Sequence, residues 1–277
     1  MAIAHEVGRA RCGDVSIHYR RLGRPGRTPL LIVHGLSYFS YDWLPAAEAL
    51  GTEREVVAMD MRGFGDSDWS AQKDYSVSAM AQDIVCVLDH LGWPRAALVG
   101  HSMGGRSTTY AAAKHPGRIA GLVLVDYSPE NAPAGSKRVA HIVANTPDRF
   151  ASVDEALAHF AQRDRDRMQA YLRPDGAIKR DPYFRDQFRR LLETGERPKL
   201  GVDMWQAIGE VRCPILSLRG KRSDMYAEET AAKMGAANAR LTVQEVDAGH
   251  NIAGDNPAAF VAAVRSFLEV THAHERH

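Results

Sequence analysis

Short, uninterrupted apolar runs recur along this chain, with helical-period segments between them. Leu30–Val33, Val56–Met59, Ala96–Val99 and Leu122–Val125 each read as a strand buried on both faces, and Pro214–Leu218 and Leu241–Val246 resume the pattern later. Val15 to Arg20 alternates apolar with polar and reads as an edge strand. Val77 to Leu91 places Met80, Ile84, Val87, Leu88 and Leu91 at helical spacing and stops at Gly92. Pro45–Leu50 predicts a short helix, and Arg106 to Lys114 a longer one ended by His115-Pro116-Gly117. Further helices are predicted from about Ala227 and from Pro257, the latter capped by Asn256 or Asp255. Buried strands alternating with helices define the α/β class, a mostly parallel central sheet with helices on both faces.

The pattern changes between Asn131 and Gln206, where continuous apolar runs disappear. Amphipathic, charge-rich segments such as Val153–Phe160 and Tyr183–Leu192 take their place. They predict a helical cap of residues 131–206 inserted over the strand ends of a core domain formed by residues 1–130 and 207–277.

Ligands of parallel sheets bind beyond the carboxyl ends of the strands. His34, Asp60, Ser102, Asp126, Asp224 and His250 all fall at such ends. Gly100-His101-Ser102-Met103-Gly104 has the G-x-S-x-G form, between a predicted strand and a predicted helix. A sharp strand–turn–helix lifts a serine hydroxyl above the sheet and aims the following backbone N–H at the reaction space. A serine hydroxyl needs a base at neutral pH, and histidine is suited to that task. His250, in Asp247-Ala248-Gly249-His250, is the histidine among twelve that stands at a late strand end after the serine. An acid must hold its imidazole in one tautomer. Asp126 and Asp224 both give the order Ser, Asp, His, and spacing leaves both open.

Composition narrows the partners. A net charge of +1 over 277 residues gives no electrostatic case for nucleic acid or an anionic membrane surface. No stretch approaches the ~18 apolar residues of a membrane span, and Met1 to Gly13 lacks a signal-peptide core. Cys12, Cys86 and Cys213 are widely spaced and read as reduced, mostly buried thiols, which suits a cytoplasmic protein. The expected partner is a small-molecule substrate, with homo-oligomerisation left open. Gly63 and Gly65 lack the rest of a dinucleotide fingerprint, Gly23 and Gly26 lack a P-loop ending, and no H-E-x-x-H or paired-cysteine motif occurs. No cofactor and no metal are therefore expected. The tail from Thr271 to His277 reads as a frayed end.

Taken together, His34-Gly35, Asp60-Met61-Arg62-Gly63-Phe64-Gly65-Asp66-Ser67, the serine turn and Gly249-His250 resemble the α/β-hydrolase fold superfamily over nearly the whole chain. The resemblance implies a cofactor-free serine hydrolase, with the Leu36 and Met103 amides as oxyanion hole and Asp60 and Arg62 in structural roles. Serine at the nucleophile position argues against the aspartate-based chemistry of dehalogenases and epoxide hydrolases. In many members the acid lies three residues after the glycine ending the penultimate strand; here that residue is Ser223, with Asp224 next. Another branch places it 24 residues beyond the nucleophile, which is Asp126, in a similar Asp-x-x-Pro setting. That branch includes bacterial esterases and ring-degradation amidohydrolases, so Asp126 is favoured and Asp224 kept as the alternative. The implied reaction is cleavage of a small carboxylic ester or activated amide. C–C hydrolysis of vinylogous diketones, or ligand binding with vestigial turnover, are the alternatives. Candidate substrate contacts are Tyr127, Arg138, His141 and Trp205, with Arg106 a further candidate for a carboxylate.

Overall fold

A computed structural model describes residues 3–196 and 200–274, with side chains to Thr271. The chain opens with β1 (Glu6–Cys12), β2 (Val15–Gly23) and β3 (Leu30–Val33), then α1 (Leu44–Leu50) and β4 (Glu55–Met59). It continues through α2 (Val77–His90), β5 (Ala96–His101), α3 (Met103–Lys114) and β6 (Ile119–Val125). Four helices follow: α4 (Pro133–Asn145), α5 (Val153–His159), α6 (Arg165–Tyr171) and α7 (Pro182–Thr194). The chain closes with α8 (Met204–Glu210), β7 (Ile215–Gly220), α9 (Glu228–Ala237), β8 (Leu241–Val246), α10 (Ile252–Asp255) and α11 (Pro257–His274). The last three residues of the expected frayed tail lie outside the described residues.

The strands form one eight-stranded sheet in the order β1-β2-β4-β3-β5-β6-β7-β8. β2 runs antiparallel to both β1 and β4, and all other pairings are parallel. Successive side chains point to opposite faces, so a strand covered on both sides must be apolar throughout. Leu31, Val33, Val57, Met59, Leu98, Leu122 and Leu124 pack on one face with α2, α3 and α8. Leu30, Ile32, Val56, Ala58, Val99, Val123 and Val125 pack on the other with α1 and α11. Of the two caps offered for α11, Asn256 fills the place, its Oδ1 accepting from Ala259 N–H; at the start of α2, Ser76 Oγ accepts from Ala79 N–H.

Two expectations are corrected. Val15–Arg20 is an inner strand, because β1 pairs outside it. β1 carries Arg9 and Arg11 and buries only Ala10 and Cys12, as a solvent-facing edge strand permits. The cysteines are not all free: Cys12 on β1 is disulfide-bonded to Cys86 on α2, with 5.7 Å between Cα atoms, and Cys213 alone is a free, buried thiol. Packing of β1 beside α2 brings together residues 74 positions apart. The cysteine argument for a reducing compartment therefore falls. Among the described residues, no helix is long and apolar enough to cross a membrane.

The loop after β4 is fixed by buried polar contacts. Asp60 accepts from the Ser40 and Asp66 amides and bonds His18. Burial is the largest single influence and opposes its ionisation, but His18, His34 and the Ser40 amide together outweigh it and hold the carboxyl down to about 2. Arg62 is clamped by both oxygens of buried Asp83 at 2.6 and 2.8 Å. The inserted helices tie into this loop, where Asp181 N–H donates to Gly63 O at 2.8 Å. α4 packs against α7, whereas α8 packs on α3 and α9 in the helix layer of the sheet.

Candidate active site

Ser102 occupies the turn between β5 and α3 at φ 51°, a left-handed conformation rare for a residue with a Cβ. The turn is tight enough to demand glycines beside it. A Cβ on Gly104 would lie 2.3 Å from Val33 O, and one on Gly100 would lie 2.2 Å from Thr108 Oγ1. The Ser102 hydroxyl meets His250 Nε2 at 3.1 Å, and His250 Nδ1 meets Asp126 Oδ2 at 2.6 Å.

Asp126 follows β6 at φ 46° and its side chain is fully buried. Its Oδ1 accepts from Gly220 N–H at 2.8 Å, and its Oδ2 also accepts from Ser223 Oγ at 2.5 Å. The tautomer that bonds both neighbours donates from Nδ1 to Asp126 Oδ2 and leaves the Nε2 lone pair to accept from the Ser102 hydroxyl. Asp224 points elsewhere. Both its oxygens bind the Arg138 guanidinium, at 2.6 and 2.7 Å, and that contact lowers its pKa.

His101, the variable residue before the serine, has a role that its sequence position did not reveal. Its Nε2–H donates to His250 O at 3.0 Å, and its ring stacks obliquely on the His250 ring. Burial, and next the His250 charge, push its pKa down to about 3, so it stays a neutral support. Ser223, which stands where many members of the superfamily carry the acid, donates its hydroxyl to Asp126 Oδ2 and braces it.

A cavity of about 1260 Å³ opens over Ser102 and His250. Leu36, Met103, Arg106, Tyr127 and Arg138 line it, together with the aromatics Phe160, Tyr171, Tyr183 and Phe184. Met103 begins α3, so its N–H has no intrahelical acceptor. The Leu36 amide takes part in none of the described backbone hydrogen bonds. Two expected substrate contacts are corrected. His141 is exposed on the side of α4 turned away from the cavity-lining Val139 and Val143. Trp205 lies in the first turn of α8 and packs against the core beside Glu130, and is not among the residues that line the cavity.

An eight-stranded, largely parallel sheet with a serine turn after β5 defines the α/β hydrolase architecture. Residues 28–257 match the alpha/beta hydrolase fold family profile, and the chain belongs to that family. It is 28% identical to the 3-hydroxybutyrate-oligomer hydrolase of Cupriavidus necator over 96% of this chain and 99% of that one. It is also 28% identical to the N-formylmaleamate deformylase of Pseudomonas putida, over 95% and 96%. The crystal structure of E-2-(acetamidomethylene)succinate hydrolase superposes with a TM-score of 0.84 at 25% identity, covering 96% of this chain and all of that one.

Proposed function

We propose that this chain is a serine hydrolase that cleaves a small carboxylic ester or activated amide through an acyl-enzyme. The observation that carries the proposal is the continuous bond series Ser102–His250–Asp126, at 3.1 and 2.6 Å, at the floor of the cavity. Ser102 Oγ attacks the substrate carbonyl carbon while His250 Nε2 takes its proton. The tetrahedral oxyanion is held by the Met103 and Leu36 amides. Such a donor contributes about 10²–10³ in rate. As the C–O or C–N bond breaks, the imidazolium returns its proton to the leaving group. Water then attacks the acyl carbon, His250 takes a proton from it, and Ser102 Oγ leaves with that proton. Asp126 orients the ring and stabilises the imidazolium throughout. No step calls for a cofactor. α4–α7 act as a cap that excludes water and shapes the acyl pocket.

Hydrolysis of 3-hydroxybutyrate oligomers and of N-formylmaleamate by relatives of similar length supports this chemistry. A fluorophosphonate probe should label wild type stoichiometrically at Ser102, and Ser102→Ala should abolish both labelling and p-nitrophenyl ester turnover. Labelling at another residue, or turnover that survives the substitution, refutes the mechanism.

A further inference from the structure

The ionic groups that line the cavity are almost all satisfied from within the protein. Asp42 is bound by Arg167 through both oxygens, Arg138 by Asp224, and Lys73 by Asp181. Glu130 pairs with Lys233. Asp74 accepts from the Ser76 amide and Asp164 from the Arg167 amide. His250 is taken by Asp126. Arg106 is the exception: among the described residues it makes no ion pair and no side-chain hydrogen bond, and it lines the same cavity.

Its position is specific. Arg106 lies one turn along α3 from the serine, its N–H donating to Ser102 O at 3.2 Å. Ser102 precedes α3 and Arg106 lies in its first turn, and both side chains line the one cavity. Its neighbour Tyr127 lines the same wall, with its buried hydroxyl directed at Thr109 of α3. A planar five-donor fork without a protein counter-ion, beside the candidate nucleophile, matches the acceptor pattern of a carboxylate. Burial weakens the hold of Arg106 on its proton, as expected of a cation awaiting a counter-ion.

We propose that Arg106 binds a carboxylate carried by the substrate, so that the preferred substrate is an anionic ester or amide. This rests on the serine hydrolase reading above. Arg106 and Ser102 both line the one cavity, so the carboxylate stands a few bonds from the scissile carbonyl. The contact is a substrate contact; it takes no part in proton transfer.

Two matched pairs of esters test it. Mono-4-nitrophenyl glutarate against 4-nitrophenyl pentanoate places the carboxylate in the acyl group. 4-Acetoxybenzoate against phenyl acetate places it in the leaving group. Wild type should favour the anionic member of at least one pair in kcat/KM. Arg106→Met should lower that value roughly a hundredfold, mainly through KM, while leaving the neutral member within about threefold. Arg106→Lys should recover part of the loss, because charge remains but the fork is gone. Preference for neutral esters in both pairs, or equal loss on both members, overturns the proposal while leaving the hydrolase reading intact. Binding of glutarate to Ser102→Ala, by calorimetry, reads the site without turnover. Heat that disappears on adding Arg106→Met supports the proposal, and absent or unchanged binding counts against it. Loss of Ser102-dependent turnover on every ester would instead overturn the hydrolase reading.

Discussion

Replacing Asp126 with asparagine separates the two candidate acids with almost no change in shape. Both oxygens are committed: Oδ1 to Gly220 N–H at 2.8 Å, Oδ2 to Ser223 Oγ at 2.5 Å and His250 Nδ1 at 2.6 Å. An asparagine brings one acceptor and one NH₂. If the NH₂ takes the place of Oδ1, it faces the Gly220 N–H donor to donor in a buried site. If it takes the place of Oδ2, the Ser223 hydroxyl rotates to accept, and His250 must present a lone pair. The ring proton then moves to Nε2 and points at Ser102 Oγ, so the imidazole no longer removes the serine proton. A wrong tautomer in such a triad lowers kcat by about 10⁴. At about 1.36 kcal/mol per tenfold, that is about 5.5 kcal/mol of lost transition-state stabilisation. Asp224→Asn weakens only the half-exposed contact with Arg138, and turnover should stay within about threefold. The assay is p-nitrophenyl ester hydrolysis under saturation, with the fluorophosphonate labelling rate as a second reading and thermal unfolding as a check of integrity. Substantial turnover in Asp126→Asn, or an equal collapse in Asp224→Asn, refutes the reasoning.

Three further outcomes are expected. Gly104→Ala drives a Cβ to 2.3 Å from Val33 O and 2.5 Å from His34 O, both backbone atoms. It should cost about 1–3 kcal/mol in urea unfolding and slow Ser102 labelling; unaltered labelling would contradict the tight turn. Asp83→Ala strips Arg62 of its bidentate partner and should lower stability by about 3–5 kcal/mol, with turnover of the folded protein unchanged. Acidification should destabilise the protein through His101, whose folded pKa of about 3 lies below its unfolded value of about 6.5. The unfolded chain binds the extra proton, so this stability is complete above about pH 6.5 and is lost as pH falls towards 3, at up to about 1.4 kcal/mol per unit. His34 is shifted in the same direction by burial, so His101→Gln should remove part of the slope; an identical slope in that variant counts against the assignment.

The sheet was legible because β3 to β6 are buried on both faces and are apolar along their lengths except at two ends, Glu55 and His101. β1 escaped because an edge strand needs little apolar content: Gly8 sits under the Tyr19 ring, and only Ala10 and Cys12 turn inward. The disulfide went unseen for the same reason, since its geometry exists only once β1 is placed beside α2. Within the inserted region, helix existence was readable from amphipathic spacing, but the face each helix turns to the cavity was not. His141 and Trp205 have the right chemistry for substrate contact and the wrong azimuth, which depends on the packing of α4 on α7 and of α8 on α3.

The acid resisted a decision from sequence for a physical reason. β6 and β7 are adjacent parallel strands, paired from Leu122 with Ile215 to Val125 with Leu218. Residues just beyond either strand reach the same volume above the sheet, so each is a plausible neighbour for a histidine that follows β8. The structure shows that volume shared: Asp126 N–H donates to Leu218 O, Gly220 N–H donates to Asp126 Oδ1, and Ser223 Oγ donates to Asp126 Oδ2. One carboxylate fills the place, and the β7 loop supplies donors to it in place of a second acid. A carboxylate at position 223 as well would bring two like charges against one imidazole, which raises the pKa of one of them. The hydroxyl of Ser223 is thus the complement of Asp126. The register of Asp224, one residue further on, frees its side chain to bind Arg138 of α4, which lines the cavity.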